Sequence, residues 1–188
     1  MATTADFKNG LCIDFNGELF VIVEFQHVKP GKGAAFVRTK LRNLHTGRVI
    51  PNTFNAGVKI DIIRVERRTY QYLYNEGEDF FFMNNESFEQ VSIPKDLINA
   101  PQFLKEGQNC EIVFLAENEE PVSCELPPFV DLKITYVEPG EKGNTATNAL
   151  KPATMETGAI VRVPLFIEDG EWIRVDTRTG DYSERVKN

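Results

Sequence analysis

Apolar and polar residues alternate with a period of two along most of the chain, and the segments where they do so are rich in β-branched and aromatic residues. "LFVIVEFQHV" (19–28) and "FVRTKLRNL" (36–44) read as two strands of a hairpin, with Pro-Gly, Gly-Lys-Gly and Ala-Ala as the punctuation between them. "RTYQYLY" and "FFFMNN" flank Asn75-Glu76-Gly77-Glu78-Asp79 and predict a second hairpin. In "FVDLKITYV" the pattern places Val130, Leu132, Ile134 and Tyr136 on one face and Asp131, Lys133 and Thr135 on the other. "AIVRVPLFI" and "EWIRVDT" add further strands. Helix is expected only at "IPKDLI", where Pro94 suits a first helical position and the following Gly and Pro keep it short.

These strands group into three small β units, 1–64, 65–127 and 128–188. Five or so strands with one short helix is the pattern of an OB-like barrel, and the two later segments fit it. Two prolines at Leu126-Pro127-Pro128 predict a stiff joint between them.

Charge changes the picture. The net charge is -7, yet it is unevenly spread: 9 Lys/Arg against 5 Asp/Glu in 1–64, 4 against 13 in 65–127, and 8 against 10 in 128–188. A basic first third suits a polyanion partner, while the acidic middle would be repelled by phosphate and faces solvent or a basic protein. No apolar run approaches the roughly 20 residues that span a bilayer, and the N-terminus lacks the pattern of a signal peptide. A cytoplasmic monomer without membrane contact is expected. Cys12, Cys110 and Cys124 show no metal or redox spacing and read as free buried thiols.

Enzymatic chemistry finds little to work with. His27 and His45 are the only histidines, neither has a second ligand at a metal spacing, and no acid and base pair stands out. No cofactor or metal is expected. Gly31-Lys32-Gly33 lacks the length and following helix of a phosphate-binding loop.

The informative stretch is "HVKPGKGAAFVRTKLRN" (27–43). Lys29-Pro30-Gly31-Lys32 suits a type II turn, with Pro30 where φ is near -65° and Gly31 where φ is positive. Lys32 then stands at the tip, with Gly31 and Gly33 removing bulky neighbours. Arg38, Lys40 and Arg42 fall at every second position, so a strand would carry them on one face over roughly 13 Å. Such a cationic rail, with Lys29 at its end, suits RNA phosphates. Edge lysines that only block aggregation are the competing reading.

The same stretch resembles the bacterial elongation factor P family, as do "YQYLYNEGEDFFFMNNESFEQ" (70–90) and "GNTATNALKPATMETGAIVRVPLFIEDGEWIRVDTRTGDYSERV" (143–186). The resemblance covers nearly the whole chain. It implies an all-β fold, an SH3-like (KOW-like) N-terminal barrel followed by two OB-fold barrels, elongated like a tRNA. It implies binding to the 70S ribosome, through rRNA and beside peptidyl-site tRNA, and relief of stalling at consecutive prolines. Lys32 would reach toward the tRNA's CCA end and would be the target of a lysine-modifying enzyme, commonly one that adds β-lysine. The family's last domain carries a Gly-Asp-Thr loop near the exit-site codon, where this chain has Gly143, Asn144 and Thr145. Tyr182 and Arg185 match a Tyr and Arg associated with ribosome contact. Two alternatives share much of this pattern, an elongation factor P-like paralogue and a general single-strand RNA-binding OB protein; the intact "KPGKG" and "VDTRTGDY" favour the standard factor over the paralogue.

Overall fold

The computed structural model describes residues 2–139 and 149–187. Its architecture is all-β, with three antiparallel sheets and, among the described residues, only single turns of 3-10 helix. The first sheet contains β1 (Ala2–Thr3), β2 (Cys12–Phe15), β3 (Glu18–Val28), β4 (Phe36–Asn43), β5 (Val49–Asn55) and β6 (Lys59–Ile62), in the order β1-β6-β2-β3-β4-β5. The second contains β7 (Val65–Glu76), β8 (Asp79–Asn84), β9 (Gln90–Pro94), β10 (Asn109–Leu115) and β11 (Pro121–Glu125), ordered β11-β10-β7-β8-β9. The third contains β12 (Phe129–Val137), β13 (Leu150–Met155), β14 (Ile160–Pro164), β15 (Trp172–Asp176) and β16 (Tyr182–Val186), ordered β14-β13-β12-β15-β16. By packing, the chain forms two compact units, 1–68 with 112–123 and 69–111 with 124–188.

In the first unit, the period of two serves two cores at once. Ile13 and Phe20 are cross-strand partners, as are Cys12 and Val21, and successive residues point to opposite faces. Ile13 and Phe20 join Phe7, Ile22, Val37, Leu41, Phe54 and Ile60 inside the barrel. Edge-on rings fill it, Phe54 lying 5.4 Å from Phe7 and 5.3 Å from Phe15. Cys12 and Val21 face the other way and are buried with Leu44 against Val113 and Val122. The outer face of this sheet is therefore partly a second core.

In the other unit, β12 belongs to two ladders. Its first half pairs with β15 and its second half with β13, the arrangement by which one bent strand closes a barrel. A bulge between Ile134 and Tyr136 interrupts the alternation, and this corrects the sequence expectation: Val130, Leu132 and Ile134 are buried but Tyr136 is 52% exposed. An extra residue in one strand shifts every later side chain relative to the partner.

The segment "IPKDLI" also differs from expectation. Pro94 ends β9 and caps a single 3-10 turn, Lys95–Leu97, rather than occupying a first helical position. The Lys95 N–H is taken by the Glu78 carbonyl at 2.8 Å. A second 3-10 turn begins at Pro101.

The proline joint is tied down from the third sheet's side. Thr177 Oγ1 donates to the Pro127 carbonyl at 2.6 Å and the Thr177 N–H to that of Pro128 at 2.9 Å. Lys105 Nζ donates to the Asp131 carbonyl at 2.6 Å and lies 5.0 Å from the centre of the Trp172 ring. Gly180 lies beside Phe103, where an added Cβ would meet the ring at an ordinary contact distance of 3.7 Å. Cys110 and Cys124 are buried in the same unit. The hydrogen bond with Cys110, together with burial, pushes the Cys124 thiol up.

Candidate nucleic-acid interface on the basic hairpin

The barrel core runs almost the full length of the hairpin, since Val37, the partner of His27 next to the last pair, is fully buried. Ile22 and Leu41 are fully buried partners, and beyond a bulge between Ile22 and Glu24 the strands continue to the pair Val28–Phe36. β5 follows them to the end, with Asn55 opposite Phe36 and the Ala56 N–H bonded to the Ala35 carbonyl at 3.0 Å. Three hydrogen-bonded strands make a stiff base for the loop 29–35. Rings pack along this base, Phe25 lying 6.5 Å from Phe7 and 5.7 Å from His27.

At the tip, the expected type II turn is not formed. Gly33, not Gly31, has the positive φ, at 107°. Pro30 folds toward it, its Cγ 3.9 Å from where a Gly33 Cβ would be. The positive φ thus falls one residue past the lysine instead of one before it. Nothing lies within 4 Å of a Cβ built on Gly31. Lys29, Pro30, Gly31, Lys32 and Gly33 are all exposed, and among the described residues no hydrogen bond or ion pair holds the Lys32 ammonium.

Arg38, Lys40 and Arg42 alternate with buried Val37, Thr39, Leu41 and Asn43, so all three side chains leave by the outer face of β4. Their surroundings differ. The Arg38 guanidinium lies over the Phe36 ring at 5.5 Å. Lys40 is paired with Glu24 at 2.6 Å. Arg42 is half-buried beside Cys12. Burial pushes the Cys12 thiol up, while the charges of Arg67 and Arg42 pull it down by less. The positive strip thus continues from β4 onto Arg67 of β7. Sequence reasoning missed that residue because "VERR" lies far along the chain and carries no alternation of its own.

In the third sheet, Tyr182 and Arg185 both lie on β16. Arg185 pairs with Glu171 at 3.1 Å and stands over the Phe166 ring at 5.9 Å. Gly143, Asn144 and Thr145 lie outside the described residues. Among the described residues no three His, Cys, Asp or Glu side chains converge to hold a metal ion, and no helix is long and apolar enough to cross a membrane.

Three family models match the chain in succession and together cover nearly all of it. Residues 3–60 match the elongation factor P KOW-like domain, 65–124 the elongation factor P OB domain and 130–185 the elongation factor P C-terminal domain. Elongation factor P from Amoebophilus asiaticus is 59% identical over 187 residues, covering 100% of this chain and 98% of its own length. Elongation factor P 1 from Porphyromonas gingivalis is 59% identical and elongation factor P from Flavobacterium johnsoniae 58%, each over 187 residues and 100% of both chains. Of solved structures, eukaryotic translation initiation factor 5A from Methanococcus jannaschii matches with a TM-score of 0.47 at 19% identity, covering 65% of this chain and 94% of its own.

Proposed function

The chain belongs to the elongation factor P family, translation factors rather than enzymes, and from that membership we propose that it binds the ribosome beside peptidyl-site tRNA and speeds peptide-bond formation at consecutive prolines. What supports this is the loop: Lys32, which among the described residues has no hydrogen bond or ion pair, stands at the end of a three-stranded base with glycine on either side.

Proline's ring locks φ and its secondary amine makes it a poor partner in peptide-bond formation. The ribosome performs the chemistry. This chain contributes orientation, a term worth several kcal/mol in well-arranged reactions, by holding the tRNA's CCA end with a cationic finger. Arg38, Lys40, Arg42 and Lys29 steer the finger against RNA phosphates. Lys32 is the residue that a cytoplasmic lysine-modifying enzyme would extend, since a bare loop tip enters a narrow crevice. Tyr182 and Arg185, with Gly143, Asn144 and Thr145, form the contact of the last domain with the ribosome and its mRNA.

The test is Lys32→Ala in a purified translation system reading a Pro-Pro-Pro template. Stability should change by less than about 0.5 kcal/mol, as for an exposed loop residue, while relief of stalling is lost. Full relief by the variant would overturn the reading.

A further inference from the structure

The second sheet exposes an aromatic pair that the loop-centred reading leaves without a purpose. Tyr74 and Phe81 are cross-strand neighbours on β7 and β8, their rings stacked 4.8 Å apart at 19°. Phe80 and Phe82 on either side are buried, so Phe81 points out of the barrel, and Tyr74 is 45% exposed. Register extends this outer face in rows. Gln71, Met83 and Gln90 form one, Tyr74, Phe81 and Ser92 the next, and Glu76, Asp79 and Pro94 the last. Among the described residues neither Glu76 nor Asp79 makes an ion pair.

We propose that this face docks an arginine-bearing, extended segment of a partner protein, with a guanidinium laid on the Tyr74–Phe81 stack and bonded to the Glu76 and Asp79 carboxylates. The chemistry selects the occupant. An aromatic face attracts a cation through its quadrupole, and guanidinium also stacks on it. Carboxylates at the rim complete a bidentate pair. Single-stranded RNA would use the same rings but be repelled here, since residues 65–127 carry 13 Asp/Glu against 4 Lys/Arg. An extended backbone fits because the face ends at β9, the last strand of its sheet, whose free edge can accept another strand. This inference stands on the face itself and is independent of ribosome binding.

A cross-strand stack also steadies a hairpin, so the experiment separates fold from docking. Binding of a synthetic dodecapeptide of alternating Arg and Ser to the full chain is measured by calorimetry. Tyr74→Leu with Phe81→Leu, which keeps apolar bulk but removes both rings, should weaken binding about tenfold. Tyr74→Phe with Phe81→Tyr, which keeps both rings, should stay within about twofold. Glu76→Gln with Asp79→Asn should weaken binding and flatten its salt dependence, whereas Glu117→Gln with Glu120→Gln, an equal charge loss in another loop, should not. The proposal is overturned if the leucine variant binds as well as the parent, if the two charge variants lose affinity equally, or if an oligouridylate dodecamer binds this face in place of the peptide.

Discussion

Lys40 Nζ stands 2.6 Å from the Glu24 carboxylate of the adjacent strand, so one of three outward cations on β4 is already matched by an anion. Both groups are more than half exposed, and such a pair contributes little to stability, about 0 to 1 kcal/mol. Its larger consequence is for charge. Glu24→Gln should leave the fold intact, tighten ribosome association, and steepen the slope of log affinity against log salt by up to about 1 as Lys40 is freed for phosphate. An unchanged slope would show that Lys40 does not meet RNA.

The loop's pivot gives a second prediction. Gly31→Ala should be tolerated, with stability within about 0.5 kcal/mol and activity near that of the parent, because no positive φ and no close atom restrict that site. Gly33→Ala places a Cβ at φ 107° beside Pro30. It should cost about 1 kcal/mol or reshape the loop, and in either case reduce relief of Pro-Pro-Pro stalling more than Gly31→Ala does. Equal activity of the two variants would mean that Lys32 does not depend on this backbone.

Lys105 is a latch with a built-in reporter. The chain has a single tryptophan, Trp172, and Lys105 lies over its ring while bonding the Asp131 carbonyl. Lys105→Met keeps the apolar stem but removes a charged hydrogen bond worth about 2 kcal/mol. A lower urea midpoint and a shifted Trp172 emission are expected; a parental midpoint and spectrum would show the contact to be idle.

Acid should loosen the turn after β15. The Arg178 guanidinium, by hydrogen bonding, holds the Asp176 carboxyl down at about 2. A carboxyl whose folded value is depressed stabilises the fold above its unfolded value, about 3.9, and that contribution fades as pH falls toward 2. Carboxyl chemical shifts should give Asp176 a midpoint near 2 in the parent and a higher one, still below the ordinary value, in Arg178→Ala, because the Arg178 backbone N–H keeps its bond to the carboxylate. A midpoint unchanged by Arg178→Ala would assign the effect to the backbone N–H groups alone.

The sequence by itself determined which segments are strands, because one buried face imposes a period of two. It also determined where the exposed lysine stands, since Pro, Gly and Ala around Lys32 leave it no core to join. Family membership was legible for the same reason: "KPGKG" and the C-terminal stretch are local strings. Tertiary structure decided what depends on a partner distant in the chain. The bulge that turns Tyr136 outward exists only in its pairing with β13. The positive φ falls at Gly33 and not at Gly31, a choice that the local string "KPGKG" leaves open. Arg42 and Arg67 come together at Cys12 because the outer face of the first sheet is buried under Val113 and Val122. Tyr74 and Phe81 stack because a bulge between Tyr72 and Tyr74 sets their register. Alternation says that a side chain points up or down; only the strand across from it says what it meets there.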